Sequence, residues 1–155
     1  MGQDNLDEFG AALRGEETLR TFLEEQSVGM GDATIEGLIN SIESLLPEVD
    51  RAVMTDDVAA SLLASTAEAI RTGIHGWLDD DLACVSPWGF DLDEITVPVG
   101  LWQGSEDLMV PFAHGEWLAG RLPTAAVHLE QGEGHLSVMV GAIEAMYDEM
   151  LALAG

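Results

Sequence analysis

The sequence contains no lysine, and its five basic residues, all arginine, face 29 aspartates and glutamates. Binding to a nucleic acid requires cations that neutralise several phosphates, so a net charge of −24 argues against nucleic acid as a partner. The same charge disfavours attachment to an anionic membrane surface. We therefore expect partners that are neither nucleic acids nor membranes.

Long apolar runs are also missing from the chain. No window approaches the roughly 18 apolar residues of a transmembrane helix, and the opening residues MGQDN lack the basic and apolar regions of a signal peptide. These features predict a cytoplasmic location. The single cysteine, Cys84, leaves no intrachain disulfide and no multi-cysteine metal site, and we expect neither a metal nor another cofactor.

Apolar residues recur every three or four positions through the first 85 residues, which predicts a helical segment over residues 1–85. Its third helix is expected to span residues 35–46, because Pro47 follows. Three adjacent acids, Asp79, Asp80 and Asp81, predict a solvated charge run rather than a cation site, since neighbouring residues on a helix point in different directions.

From residue 86 the pattern becomes one of strands alternating with helices. Short apolar runs at residues 97–102 and 126–129 predict two buried strands. Helices are predicted after each strand, over residues 111–122 and 137–154. This order predicts an α/β fold with a two-stranded parallel sheet, formed by residues 86–155 after the helical segment.

Asp107 and His135 are the side chains best suited to chemistry in this second segment. Each is expected in a glycine-containing loop directly after one strand, and the carboxyl ends of parallel strands meet at one edge of a sheet. A carboxylate on one imidazole nitrogen fixes the tautomer, which leaves the other nitrogen as a general base. The placement favours a catalytic pair, with purely structural roles as the alternative. His114, at the start of the intervening helix, is a weaker candidate for substrate binding.

Four stretches carry a resemblance to a known family: WGFDL at 88–92, VPV at 97–99, WQGSEDLMVP at 102–111 and GEGHLS at 132–137. They resemble the last third of an α/β-hydrolase, closest in style to the proline-iminopeptidase-like bacterial hydrolases. The resemblance implies that Asp107 is the acid of a catalytic triad and His135 its base. It also implies that residues 1–85 form the helical cap that precedes the last two strands of that fold.

The nucleophile that this family carries on a G-x-S-x-G turn has no counterpart here, because no serine has glycines at the required offsets. We therefore expect the C-terminal portion of a serine hydrolase, inactive alone, that would act on a small-molecule ester, amide or related acyl substrate once completed. The exposed edge of a two-stranded sheet predicts a longer polypeptide, a second chain or self-association. The alternative functions are a non-catalytic protein-interaction module and direct activation of water by Asp107 and His135.

Overall fold

The computed structural model describes residues 1–154 and divides the chain into two compact units. The helical unit consists of Gly2–Leu45 and Met54–Trp88. The α/β unit consists of Met1, Leu46–Val53 and the chain from Gly89 onward. The segment Leu46–Val53 thus packs in the α/β unit, although its sequence position had placed it among the cap-like helices.

The elements follow one another along the chain as α1 (Gln3–Leu13), α2 (Glu16–Ser27), α3 (Ile35–Ser41), α4 (Glu48–Val53), α5 (Asp56–Ala69), α6 (His75–Cys84), β1 (Val99–Gly104), α7 (Phe112–Ala119), β2 (Ala125–Glu130) and α8 (His135–Ala154). Short 3₁₀ turns lie at Met30–Asp32, Glu43–Leu45 and Leu92–Glu94. In the described part of the chain, no helix combines the length and the apolar character that crossing a membrane requires.

The core of the helical unit lies between α1, α2 and α6. Its buried members are Ala11, Ala12, Leu19, Leu23, Ile74 and Leu78. Gly15, with φ of +110°, makes the sharp turn between α1 and α2, a conformation that side chains disfavour. Apolar side chains at helical spacing therefore form the core of this unit.

Two details of the helical unit differ from the sequence-based expectation. Helix α3 ends at Ser41 rather than near residue 46, because the Ser41 hydroxyl donates to the carbonyl of Leu38 and the chain tightens into a 3₁₀ turn. Asp81, predicted to be solvated, is buried. It lies three residues after the buried Leu78, which places both on the inner face of α6.

The α/β unit is built on the predicted parallel pair of strands. β1 and β2 run in register from Val99 opposite Ala125 to Gly104 opposite Glu130. In the described residues the sheet has these two strands alone, so each strand has one edge without a paired neighbour. The mixed α/β class with a parallel sheet is confirmed, and it is compatible with part of an α/β-hydrolase fold.

Helices α7 and α8 cover opposite faces of this sheet. On one face, Trp102 and His128 stack with ring centroids 3.7 Å apart, and both bind Glu149 of α8 at 3.1 Å. On the other face, Gln103 packs against Gly115 of α7 so closely that a Cβ on this glycine would overlap the amide. Neighbouring residues of a strand point to opposite faces, so consecutive positions on β1 hold the two helices. These contacts fix the strand ends from which the site is built.

Candidate active site

Asp107 and His135 meet where β1 and β2 end. Asp107 follows β1 by three residues, and His135 is the first residue of α8, five residues after β2. Asp107 Oδ2 lies 2.9 Å from His135 Nδ1. The carboxylate is buried, whereas the histidine side chain is 43 % exposed. The imidazole is therefore accessible to solvent, whereas the carboxylate that it contacts is not.

The second oxygen of Asp107 is held by the backbone of its own loop. Oδ1 accepts hydrogen bonds of 2.8 Å from the backbone N–H groups of both Met109 and Val110. A short polar side chain that binds backbone groups two and three residues ahead stabilises a tight turn. Because both oxygens are engaged, the carboxylate has one orientation, with Oδ2 directed at the imidazole.

The loop of Asp107 and the loop before His135 are joined to each other. The backbone N–H of Glu106 donates to the carbonyl of Glu133 at 2.8 Å, and the backbone N–H of Gly132 donates to Ser105 Oγ at 2.9 Å. These bonds extend the strand pairing past the end of the sheet. The distance between Asp107 and His135 is therefore set by backbone contacts in addition to the side-chain bond.

The environment of the pair shifts both ionisation equilibria toward the ion pair. Burial alone would raise the pKa of Asp107, but the hydrogen bonds from His135 and from the backbone of Val110 and Met109 hold this pKa below its ordinary value. The hydrogen bond to Asp107 raises the pKa of His135 against the opposing effect of burial, and the charges of Asp107 and Asp50 add to the rise.

These shifts determine which nitrogen of His135 is available. An ionised carboxylate can only accept, so Nδ1 carries the proton of their shared hydrogen bond. In the neutral imidazole the lone pair is then on Nε2, to which no side chain in the described part of the chain binds. Such an arrangement can take up a proton at Nε2 and stabilise the resulting imidazolium.

Comparison with known proteins identifies a relative of this chain. The chain is 30 % identical over 118 residues to a pimeloyl-[acyl-carrier protein] methyl ester esterase of Aromatoleum aromaticum. The similarity supports the α/β-hydrolase superfamily. The match spans 76 % of this chain and 39 % of the relative, so the chain corresponds to about two fifths of that protein's length. No family model matches the chain, and no solved structure gives a significant match.

The comparison supports the α/β-hydrolase superfamily as a whole, whereas the sequence resemblance suggested a narrower group within it. A relative named as an esterase gives no support to the narrower proline-iminopeptidase-like group. The roles of individual residues, the lack of a nucleophile and the inactivity of the chain alone stay predictions.

The side chain of His114 makes no hydrogen bond, among the described residues, to the pair formed by Asp107 and His135. It is on α7 and exposed. A role in substrate binding remains a prediction for this residue.

Sequence reasoning missed Gln103, which holds the loop that contains Asp107. The buried Gln103 Nε2 donates to the carbonyls of Val110 and Pro111, at 2.9 and 3.1 Å. These bonds close the loop that contains Asp107 onto the end of β1. The available signal was a polar residue directly after the apolar run 97–102, at the end of a buried strand, because a buried amide needs partners.

Asp50 is the second residue that sequence reasoning missed. His135 was expected in a loop, but it begins α8 because the Asp50 carboxylate accepts the backbone N–H groups of His135, Leu136 and Ser137. Asp50 lies 85 residues before His135, on the short helix α4, which no periodicity predicted. No local sequence signal could have identified this contact.

Proposed function

We propose that this chain supplies the cap and the acid–base part of a serine α/β-hydrolase that cleaves an ester, amide or related acyl bond. The observation that carries the proposal is the 2.9 Å contact between Asp107 Oδ2 and His135 Nδ1. This contact leaves Nε2 of His135 free to accept the proton of a nucleophile. The relative is named as a methyl ester esterase, and this favours an ester among these bonds.

In the proposed reaction His135 works as general base and then as general acid. Nε2 removes the proton of a serine hydroxyl as its oxygen attacks the acyl carbon, and Asp107 stabilises the imidazolium that forms. The proton then passes to the leaving alcohol or amine, and an acyl-enzyme remains. A water molecule, deprotonated by the same nitrogen, attacks the acyl-enzyme and releases the acid. The serine and the oxyanion-hole donors would be supplied by residues outside this chain.

The same proposal gives a role to each part of the chain. The helical unit would be the cap that shapes the pocket for a small acyl substrate, and β1, α7, β2 and α8 would be the last two strand–helix units of the hydrolase sheet. His114 would face the substrate from α7. A strand edge without a neighbour, here that of β1, is where further strands would pair.

The first test is the DNA upstream of the codon for Met1. We expect the reading frame to stay open and to encode a G-x-S-x-G turn after a strand pattern. A closed frame, with no neighbouring gene for the nucleophile, would contradict the proposal and favour the non-catalytic interaction module.

The second test is hydrolysis of short p-nitrophenyl esters by the protein from the longer frame. We expect His135→Gln to lower kcat by about 10³-fold or more, whereas His75→Gln, a substitution of an exposed histidine in the helical unit, leaves kcat unchanged. The 155-residue chain alone should be inactive. His135-dependent hydrolysis by that chain would contradict the proposal, because it would require either a nucleophile within the chain or direct activation of water by Asp107 and His135.

A further inference from the structure

The backbone at the start of α8 is bound by a side chain from a distant part of the sequence. Asp50 Oδ2 accepts the N–H of His135 at 2.9 Å, and Asp50 Oδ1 accepts the N–H groups of Leu136 and Ser137 at 3.0 and 2.8 Å. The first N–H groups of a helix have no partner within the helix. One carboxylate thus binds three of them, and the first belongs to the proposed base.

A helix is usually capped by the residue just before its first turn, and α8 cannot be capped in this way. That residue is Gly134, which has no side chain, and a Cβ at this position would overlap the Asp50 carboxylate. Ser137 Oγ accepts the N–H of Gly134 at 2.8 Å, as the third helical residue does in a capping box. Asp50 therefore provides the cap oxygen that the local sequence lacks.

The Asp50 carboxylate is well suited to hold a fixed position. Its side chain is inaccessible to solvent, and it faces the N-terminus of a 20-residue helix, where the helix dipole favours negative charge. A buried carboxylate with three N–H donors loses several bonds if it moves. The α4 helix that contains it also packs against α8. The carboxylate therefore anchors the backbone of His135.

We propose that Asp50 is a positioning residue for His135, which fixes the backbone from which the imidazole reaches Asp107 and places a negative charge beside the imidazolium that forms during catalysis. The inference rests on the proposed function, because it assumes that His135 is the base. His135 would then be held from two sides, with Asp107 on its imidazole and Asp50 on its backbone.

The test is a pH titration of the His135 imidazole in the full 155-residue chain, followed by the NMR signal of its Cε1–H. It compares the unsubstituted chain with Asp50→Asn, which keeps the size of the side chain and removes its charge. Glu48→Gln removes the same charge from an exposed position on the same helix and is the matched control. Asp107→Asn reports separately on the proposed acid–base pair.

We expect Asp50→Asn to lower the pKa of His135, since the charge of Asp50 contributes to its rise, and Glu48→Gln to leave it unchanged. Equal titration midpoints for Asp50→Asn and Glu48→Gln would overturn the inference. An unchanged midpoint in Asp107→Asn would instead overturn the proposed pair. The titration needs no activity, so the two failures are distinguishable.

A second measurement covers the case in which Asp50→Asn does not fold. In the unsubstituted chain, the amides of His135, Leu136 and Ser137 should exchange with solvent at least about tenfold more slowly than unstructured amides. Exchange at the unstructured rate would overturn the inference, because the three N–H groups would then not be bound to Asp50.

Discussion

Replacing Asp81 by asparagine should make the helical unit more stable at neutral and alkaline pH. Asp81 is buried in α6. Its Oδ2 is also buried and has no hydrogen-bond partner in the described part of the chain. Burial raises the pKa of Asp81 to about 7, and the neighbouring Glu8 carboxyl and the charge of Asp80 add to the rise. The folded chain therefore holds a proton that the unfolded chain releases.

The sign and size of the effect follow from this difference in proton binding. A group with a raised pKa in the folded state stabilises fully below its unfolded pKa, here 3.8, and its contribution is lost as pH rises to about 7. The total loss is about 4 kcal/mol of the free energy of unfolding, of which about 3 kcal/mol falls between pH 5 and pH 8. Asparagine stays neutral and donates to Glu8, so Asp81→Asn should not lose this part.

The assay is urea unfolding at pH 5, 6, 7 and 8, followed by far-UV circular dichroism and by the indole N–H signal of Trp77. That indole donates to Glu8 at 2.6 Å. Its signal therefore reports on the surroundings of the Glu8 carboxyl, which also affects the pKa of Asp81. Asp79→Asn is the matched control, because it removes an exposed charge from the same helix and so corrects for the lower net repulsion in a chain of charge −24, whereas Asp80 itself adds to the rise in the pKa of Asp81. If Asp81→Asn and Asp79→Asn change the pH dependence of the free energy of unfolding equally, the assignment to burial is wrong.

Two further predictions concern the site. Asp107→Asn should lower the pKa of His135 and remove the stability that this pair contributes below the pH at which the folded histidine deprotonates. It should also lower kcat of the completed hydrolase by about 10³- to 10⁴-fold. A pH–rate profile unchanged from that of the unsubstituted enzyme would contradict this prediction. Gly134→Ala should destabilise the chain by about 1–3 kcal/mol in thermal unfolding, because its Cβ would overlap Asp50. The control Gly141→Ala, in open space on α8, should stabilise the chain by up to about 1 kcal/mol. Equal melting temperatures of the two variants would refute the overlap.

The parts of the site that follow from local pattern could be predicted, and the parts that depend on distant contacts could not. Asp107 and His135 were expected side by side because each follows a strand, and parallel strands end at one edge. The two short strands were recognisable from apolar runs between turn residues. The catalytic roles of the two residues stay predictions, since proximity alone does not establish them.

The misses share a physical cause, which is that the deciding partner is far away in sequence. Helix α4 has six residues and no repeating apolar face, so its place in the α/β unit depends on contacts with α8. The helical start at His135 depends on Asp50 in the same way. Asp81 was assigned to solvent with its two acidic neighbours, because the sequence of α6 does not show which face meets the core.

The number of N–H donors around each buried acid distinguishes Asp50, Asp107 and Asp81. Asp50 accepts three backbone N–H groups, and Asp107 accepts two together with the imidazole. Asp81 has an oxygen with no partner and another acid beside it, so protonation replaces the missing donors. The same acid-to-amide change should therefore have opposite effects. At Asp50 and Asp107 it leaves an N–H unpaired and destabilises by about 1–3 kcal/mol, whereas at Asp81 it supplies the donor that the folded chain otherwise obtains from a bound proton.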